Sequence, residues 1–204
     1  MDSGRGLLLL LQRLHFSFAQ VLEISKAFNY PWDEIPIYGF SLCIPIPFLL
    51  EMLALHYTVS LDKKYWSHAA LIFASLYAVF VTANYVVQLA TVIPMTLKGN
   101  LKEIDILIQT PLSLFWDFDA LGYIFMGFAT LFAVPVFEKT GFQKWVRLVF
   151  LIHGLVTPLI AFVYFYPCFT DKLLLIGLPW GITAPASMLV LAVMFKKNYK
   201  NKKL

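Results

Sequence analysis

The chain has 204 residues, of which 60% are hydrophobic and only 14% charged. Soluble domains run at about 45–50% apolar and about 25% charged, so the composition excludes a water-soluble core and points to an integral membrane protein. The net charge of +4 gathers in short loops and in the tail "KKNYKNKK". That is where anchoring charge beside a bilayer belongs, and it argues against a nucleic-acid partner.

The N-terminal segment, residues 1–34, is the ambiguous part. "GLLLLLQRLHFSFAQVLEISKAF" opens like a signal-peptide core, but Arg13, Gln20, Glu23 and Lys26 interrupt it and no small-residue cleavage site follows. At about 100° per residue, Gln12, Arg13, Gln20, Glu23 and Lys26 fall on one side and Leu14, Phe18, Val21 and Leu22 on the other. The pattern predicts an amphipathic helix lying in the interface, with a sixth crossing as the alternative.

Five apolar segments follow, at roughly 35–59, 67–93, 113–137, 146–166 and 173–195, each long enough for a hydrocarbon core that needs about 20 residues. The links between them are short: "SLDKKYWSH", "LKGNLKEIDILIQTP", "EKTGFQKW" and "PCFTDK". No linker separates domains and no repeat is visible. The expected fold is an all-α polytopic transmembrane helical bundle of five spans in a single domain. It comprises the segment 1–34, a bundle over 35–195 and a basic tail over 196–204.

The basic residues predict orientation. Lys63, Lys64, Lys139, Lys144, Arg147 and the C-terminal lysines fall on one side of such a bundle. Lys98, Lys102 and Lys172 fall on the other, among Glu103, Asp105 and Asp171. Lys and Arg counts therefore put the C-terminus in the cytoplasm of a multi-pass cell-membrane protein.

Depth then follows from a rise of about 1.5 Å per residue. Tyr77, Asn84, Gln88 and Thr91 share a face in the second span, with the two amides in its outer half. Trp116, Asp119 and Tyr123 form a stripe at a similar level in the third span, near Asp117, and Trp180 reaches that level in the fifth. These groups are the candidate ligand-binding layer: Asn84, Gln88, Asp119, Tyr123, Trp116 and Trp180. The bland reading is a packed seam, because Asn and Gln often join membrane helices at around 0.6 kcal/mol each. An inner layer holds Glu51 and His153, a carboxylate and an imidazole able to stabilise each other, with His56 a turn below Glu51. Its bland counterpart is a protonated Glu51, or one bonded to backbone freed near Pro45 and Pro47.

Other signals read as structural. Gly177 and Gly181 form a GxxxG pair suited to close helix approach, and Pro158, Pro179 and Pro185 predict kinks. The stretch "LKEIDILIQTPLSLF" reads as a short interfacial helix ending before Pro111. Cys43 and Cys168 lack a CxxC or ligand-spaced His, so no disulfide, metal or cofactor is expected. GxSxG, HExxH, P-loop and Gly-rich nucleotide turns are missing from the sequence, so no catalytic residue can be assigned.

The stretches "TANYVVQLATVIP", "LGYIFMGFATLFAVPVF" and "PWGITAPASMLVLAVMFKK" resemble small multi-span prokaryotic membrane proteins of uncharacterised function, over roughly residues 40–197. The resemblance implies a similar bundle and no activity. Three functions fit. The first is a bundle whose interior polar layer binds a small amphiphile or lipid. The second is an accessory or assembly subunit that binds another membrane protein. The third is an intramembrane enzyme or proton-coupled transporter using Glu51 and His153.

The lysine asymmetry is directly testable. A reporter fused after Lys203 is expected to read as cytoplasmic and one inserted near Asp171 as external; the opposite result would invert the depth assignments.

Overall fold

The computed structural model describes residues 30–201; the predicted amphipathic helix or sixth crossing lies outside the described residues. Among these, every regular element is helical. Five helical stretches are long and apolar enough to cross a bilayer: Glu34–Thr58, Leu61–Leu97, Leu114–Val136, Gln143–Phe165 and Asp171–Asn198.

The first stretch is two helices, α1 (Glu34–Leu42) and α2 (Pro45–Thr58). Pro45 has no N–H to donate, and its ring collides with the carbonyl four residues back. The helical ladder therefore breaks at Cys43 and Ile44 and restarts with Pro45 in its first turn. The second stretch is built on α3 (Lys64–Val87). Its buried line runs through Ala70, Ala74, Tyr77, Val81, Asn84 and Gln88 at steps of three or four residues, the spacing of one helical face.

A π-helical turn, Gln88–Val92, joins α3 to the short α4 (Ile93–Leu97). Pro94 cannot donate to the carbonyl of Ala90. The wider turn, closed by the Ile93 N–H on the Gln88 carbonyl, absorbs that lost bond. Its additional residue shifts the inward face: Val92 is buried and Thr91 only half-buried. The stripe predicted through Thr91 thus continues at Val92 instead.

The chain then passes through α5 (Leu101–Ile104) into α6 (Leu114–Ala133), α7 (Gln143–Phe165) and α8 (Leu174–Asn201). The segment read as an interfacial helix before Pro111 is helical only to Ile104, with a single 3-10 turn at Asp105–Leu107. Sequence neighbours pack as spatial neighbours in the order α2, α3, α6, α7, α8, and α8 returns to touch α2. Helix α6 is the most enclosed, with 56% of its apolar window buried against 22% for the first and last spans.

Close approach around α6 depends on small residues. A Cβ on Gly127 would lie 1.7 Å from Thr157 Oγ1, and one on Gly122 would lie 2.4 Å from Val81 Cγ2. These glycines, and not the predicted Gly177, let α3 and α7 close on α6; a Cβ on Gly177 would make only ordinary contact with Ile160 Cδ1, at 3.6 Å. Pro158 lies inside α7, and Pro179 and Pro185 inside α8.

The two ends of the bundle differ in chemistry. At one end α6 runs out into the 3-10 turn Val134–Val136, leaving carbonyls that carry the negative end of the helix dipole. Cations cover them. Arg147 Nη1 donates to the carbonyls of Val134 and Phe137 at 3.0 and 3.3 Å, and Lys63 Nζ donates to that of Val136 at 3.1 Å while pairing with Glu138. Lys197 sits 3.9 Å above the Phe142 ring. Lysine-rich links and the last helix thus meet at one end; the other end is built from amides, phenols and a carboxylate.

Candidate functional site

Asn84 and Gln88 lie a turn apart on α3 and are 0% and 1% exposed. Their partners come from the link between α4 and α6. Gly99, at φ 80°, turns the chain out of α4, a conformation that glycine adopts without a Cβ penalty. The backbone becomes extended at Ile108 and returns through Leu112, whose φ of 68° is left-handed and strained for a branched side chain. Ser113 then caps α6 by accepting from the Trp116 N–H at 3.2 Å.

This path carries Gln109 into the bundle. Gln88 Nε2 donates to the Leu107 carbonyl at 2.8 Å, and Gln88 Oε1 accepts from the Gln109 N–H at 3.2 Å. One side chain therefore satisfies two backbone groups of the half-buried link. Asn84 Nδ2 donates to Gln109 Oε1 at 3.0 Å, and Gln109 Nε2 donates to Asp119 Oδ2 at 3.2 Å. Two amides in an apolar helix are explained: they hold the inserted link.

Asp119 lies five residues into α6 and is 2% exposed. Its Oδ2 also accepts from the Tyr164 hydroxyl at 2.7 Å. The Trp116 indole N–H donates to the Tyr164 carbonyl at 3.1 Å, and the two rings lie tilted at 33° with centroids 4.4 Å apart. The hydroxyls of Tyr85 and Tyr123 are 2.6 Å apart, and the Tyr123 ring lies 4.4 Å from that of Trp180. Asn84, Tyr85 and Tyr123 also bring side-chain polar atoms to the Asp119 carboxyl.

The structure thus gathers Asn84, Gln88, Asp119, Tyr123, Trp116 and Trp180 at one end of the bundle. It adds three residues that sequence reasoning did not single out: Gln109, Tyr85 and Tyr164. Tyr164 carried a usable signal, because it stands near the end of the fourth span at the depth of Asp119. Gln109 carried none, since a glutamine before Thr-Pro in a polar link reads as surface.

The polarity of the network is fixed from its backbone contacts outward. Gln88 must present Oε1 to an N–H and Nε2 to a carbonyl. Gln109 must present Nε2 to a carboxylate and therefore Oε1 to Asn84, so Asn84 must present Nδ2 to Gln109. Asn84 Oδ1 then turns away from Gln109. Both it and Asp119 Oδ1 are buried and lack a hydrogen-bond partner. Every group contacting Asp119 among the described residues is neutral.

Glu51 and His153 are not joined. His153 is fully buried, and its Nδ1 lies 2.9 Å from Thr183 Oγ1. That hydroxyl gives its own proton to the Pro179 carbonyl at 2.8 Å, so His153 Nδ1 is the donor and Nε2 is the bare nitrogen, without a partner. Glu51 stands half-buried on α2. Sequence depth had suggested the pair, but depth says nothing of direction, and α7 turns His153 toward α8. His56 bonds Ser67 Oγ through Nδ1 at 2.9 Å. No three His, Cys, Asp or Glu side chains converge as metal ligands among the described residues, and Cys43 and Cys168 are both free and exposed.

No family model, curated protein or solved structure matches the chain.

The network makes a quantitative prediction. Gln109→Leu should destabilise the protein by about 1–3 kcal/mol, because it strips partners from Asn84 and Asp119 in a buried setting. Asn84→Leu combined with Gln109→Leu should cost less than the sum of the two, by at least about 0.5 kcal/mol. Thermal unfolding in mild detergent measures both, and strictly additive costs would contradict the relay.

Proposed function

We propose that the protein is a multi-pass integral protein of the cell membrane, with a cytoplasmic C-terminus, whose polar layer holds the head of a small amphiphile or lipid near the external leaflet. One observation carries this reading: Asp119 and Asn84 each keep a buried oxygen without a hydrogen-bond partner. Leaving such a group unmade costs about 1–3 kcal/mol, and more when it is charged. A fold tolerates that cost where a ligand supplies the missing donor, and sites for ligands are commonly kept at the expense of stability.

The surroundings favour an amphiphile. Trp116, Tyr164, Tyr123 and Trp180 wall the layer with rings, surfaces that suit an apolar body joined to a polar head. The spans beside it would lie among acyl chains, from which an amphiphile can enter without crossing water. The transporter or enzyme reading loses its main support, because His153 bonds Thr183 and not Glu51.

Mass spectrometry of the protein purified in mild detergent is expected to find a bound amphiphile. Asn84→Leu should insert normally yet retain at least about tenfold less of it, the effect of one lost hydrogen bond in a buried site. Equal retention by wild type and variant, or a wild type that carries nothing, would leave the layer as a packed seam and favour an accessory or assembly subunit.

A further inference from the structure

Resting on that reading, we propose that the ligand head is cationic: a protonated primary amine on an amphiphile, donating to Asp119 Oδ1 and Asn84 Oδ1. Three features of the layer argue for it.

The first is charge. Asp119 is 2% exposed, and its neighbours Tyr164, Gln109, Asn84, Tyr85 and Tyr123 are neutral donors. The salt bridge of Lys63 with Glu138 belongs to the opposite end of the bundle. A carboxylate in low dielectric is strongly favoured by a positive partner, and the described residues supply none. A ligand with an anionic head would add a second negative charge at this point and be repelled.

The second is hydrogen-bond polarity. The relay from Gln88 through Gln109 to Asn84 ends on two acceptor oxygens. Both unpartnered atoms at its end, Asp119 Oδ1 and Asn84 Oδ1, are oxygens. An ammonium group has three N–H donors and no acceptor. A carboxylate head would offer the wrong polarity, an alcohol could give only one bond, and a quaternary ammonium none.

The third feature separates an organic from an inorganic cation. Hard metal ions stripped of water want about six oxygen ligands. The layer has two oxygens without partners, a single carboxylate, and no cluster of three metal-ligating side chains among the described residues. What it has in abundance is aromatic surface. Tyr123 lies against Trp180, and Trp116 against Tyr164, each with centroids 4.4 Å apart. Ring faces attract an organic cation and also pack its chain.

The test is a head-group series on one chain length. Wild-type protein in nanodiscs of neutral phosphatidylcholine is titrated with dodecylamine, dodecanol, dodecanoate and dodecyltrimethylammonium, and saturable binding is read from tryptophan fluorescence. Dodecylamine is expected to bind about tenfold to a hundredfold more tightly than dodecanol, the range for a charged hydrogen bond. Dodecanoate should be weakest, with the trimethyl compound below the amine. Asp119→Asn should erase the preference for amine over alcohol. The wild-type series stands even if that variant does not fold.

Dodecanol or dodecanoate binding as tightly as the amine would overturn the cationic head while leaving an amphiphile site in place. So would a trimethyl head equal to the amine, or a preference that survives in Asp119→Asn. Amine binding that falls with NaCl but not with choline chloride would assign the charge to an inorganic ion and overturn the proposal. No saturable binding of any of the four would overturn both this inference and the amphiphile reading beneath it.

Discussion

Gln88 bonds the backbone of residues 107 and 109 with both ends of one amide, and the architecture of this end of the bundle depends on that grip. Without it, a carbonyl and an N–H of the half-buried returning link would lose their protein partners. With it, Gln109 is held inside, Asn84 has a fixed orientation, and the amide of Gln109 reaches Asp119. Gln88 sits where it does because it lies one turn beyond Asn84 on the buried face of α3. The causal order runs from a helical face, to a clamp, to the polarity of a buried layer.

The two ends of the bundle solve opposite problems. At the lysine-rich end, α6 leaves free carbonyls, and Arg147 and Lys63 cover them. That arrangement is complementary and closed. At the other end two buried oxygens, Asp119 Oδ1 and Asn84 Oδ1, remain over. Between them, Gly122 and Gly127 allow α3 and α7 to close on α6, which keeps Tyr85, Tyr123 and Tyr164 within reach of one another. Packing in the middle thus positions chemistry at the end.

Much of the fold was legible in the sequence because hydropathy over about 20 residues is a strong signal; the five long apolar helices lie where their runs of apolar residues lie. The inward placement of Asn84 and Gln88 follows from the same energetic argument, since an amide facing acyl chains has no partner. Their actual partners were hidden. Gln109 sits in a polar link, and only the folded path of that link brings its side chain against Asn84 and Asp119. Thr91 lost its place on the buried face to Val92 because a π turn adds a residue, an effect that helical spacing alone does not include. Gly177 looked like a packing motif, yet the close approaches fall at Gly122, Gly127 and Gly154, set by which helices happen to face each other. Glu51 and His153 fall at similar depths by residue count, yet His153 bonds Thr183. Depth can be read from one dimension of sequence, whereas facing requires the neighbours.

The central claim is that Asp119 is a buried charge kept for a ligand and not for the fold. The most direct measurement is the unfolding temperature of Asp119→Asn in mild detergent with bound amphiphiles removed. This change keeps the side chain's shape and an acceptor for Tyr164 while removing the charge that has no partner. The account predicts an unfolding temperature equal to that of the wild type or higher, because the desolvation cost of the carboxylate is relieved. A fall of several degrees would show that the carboxylate is a structural tie holding α6 to Gln109 and Tyr164, and would contradict the account.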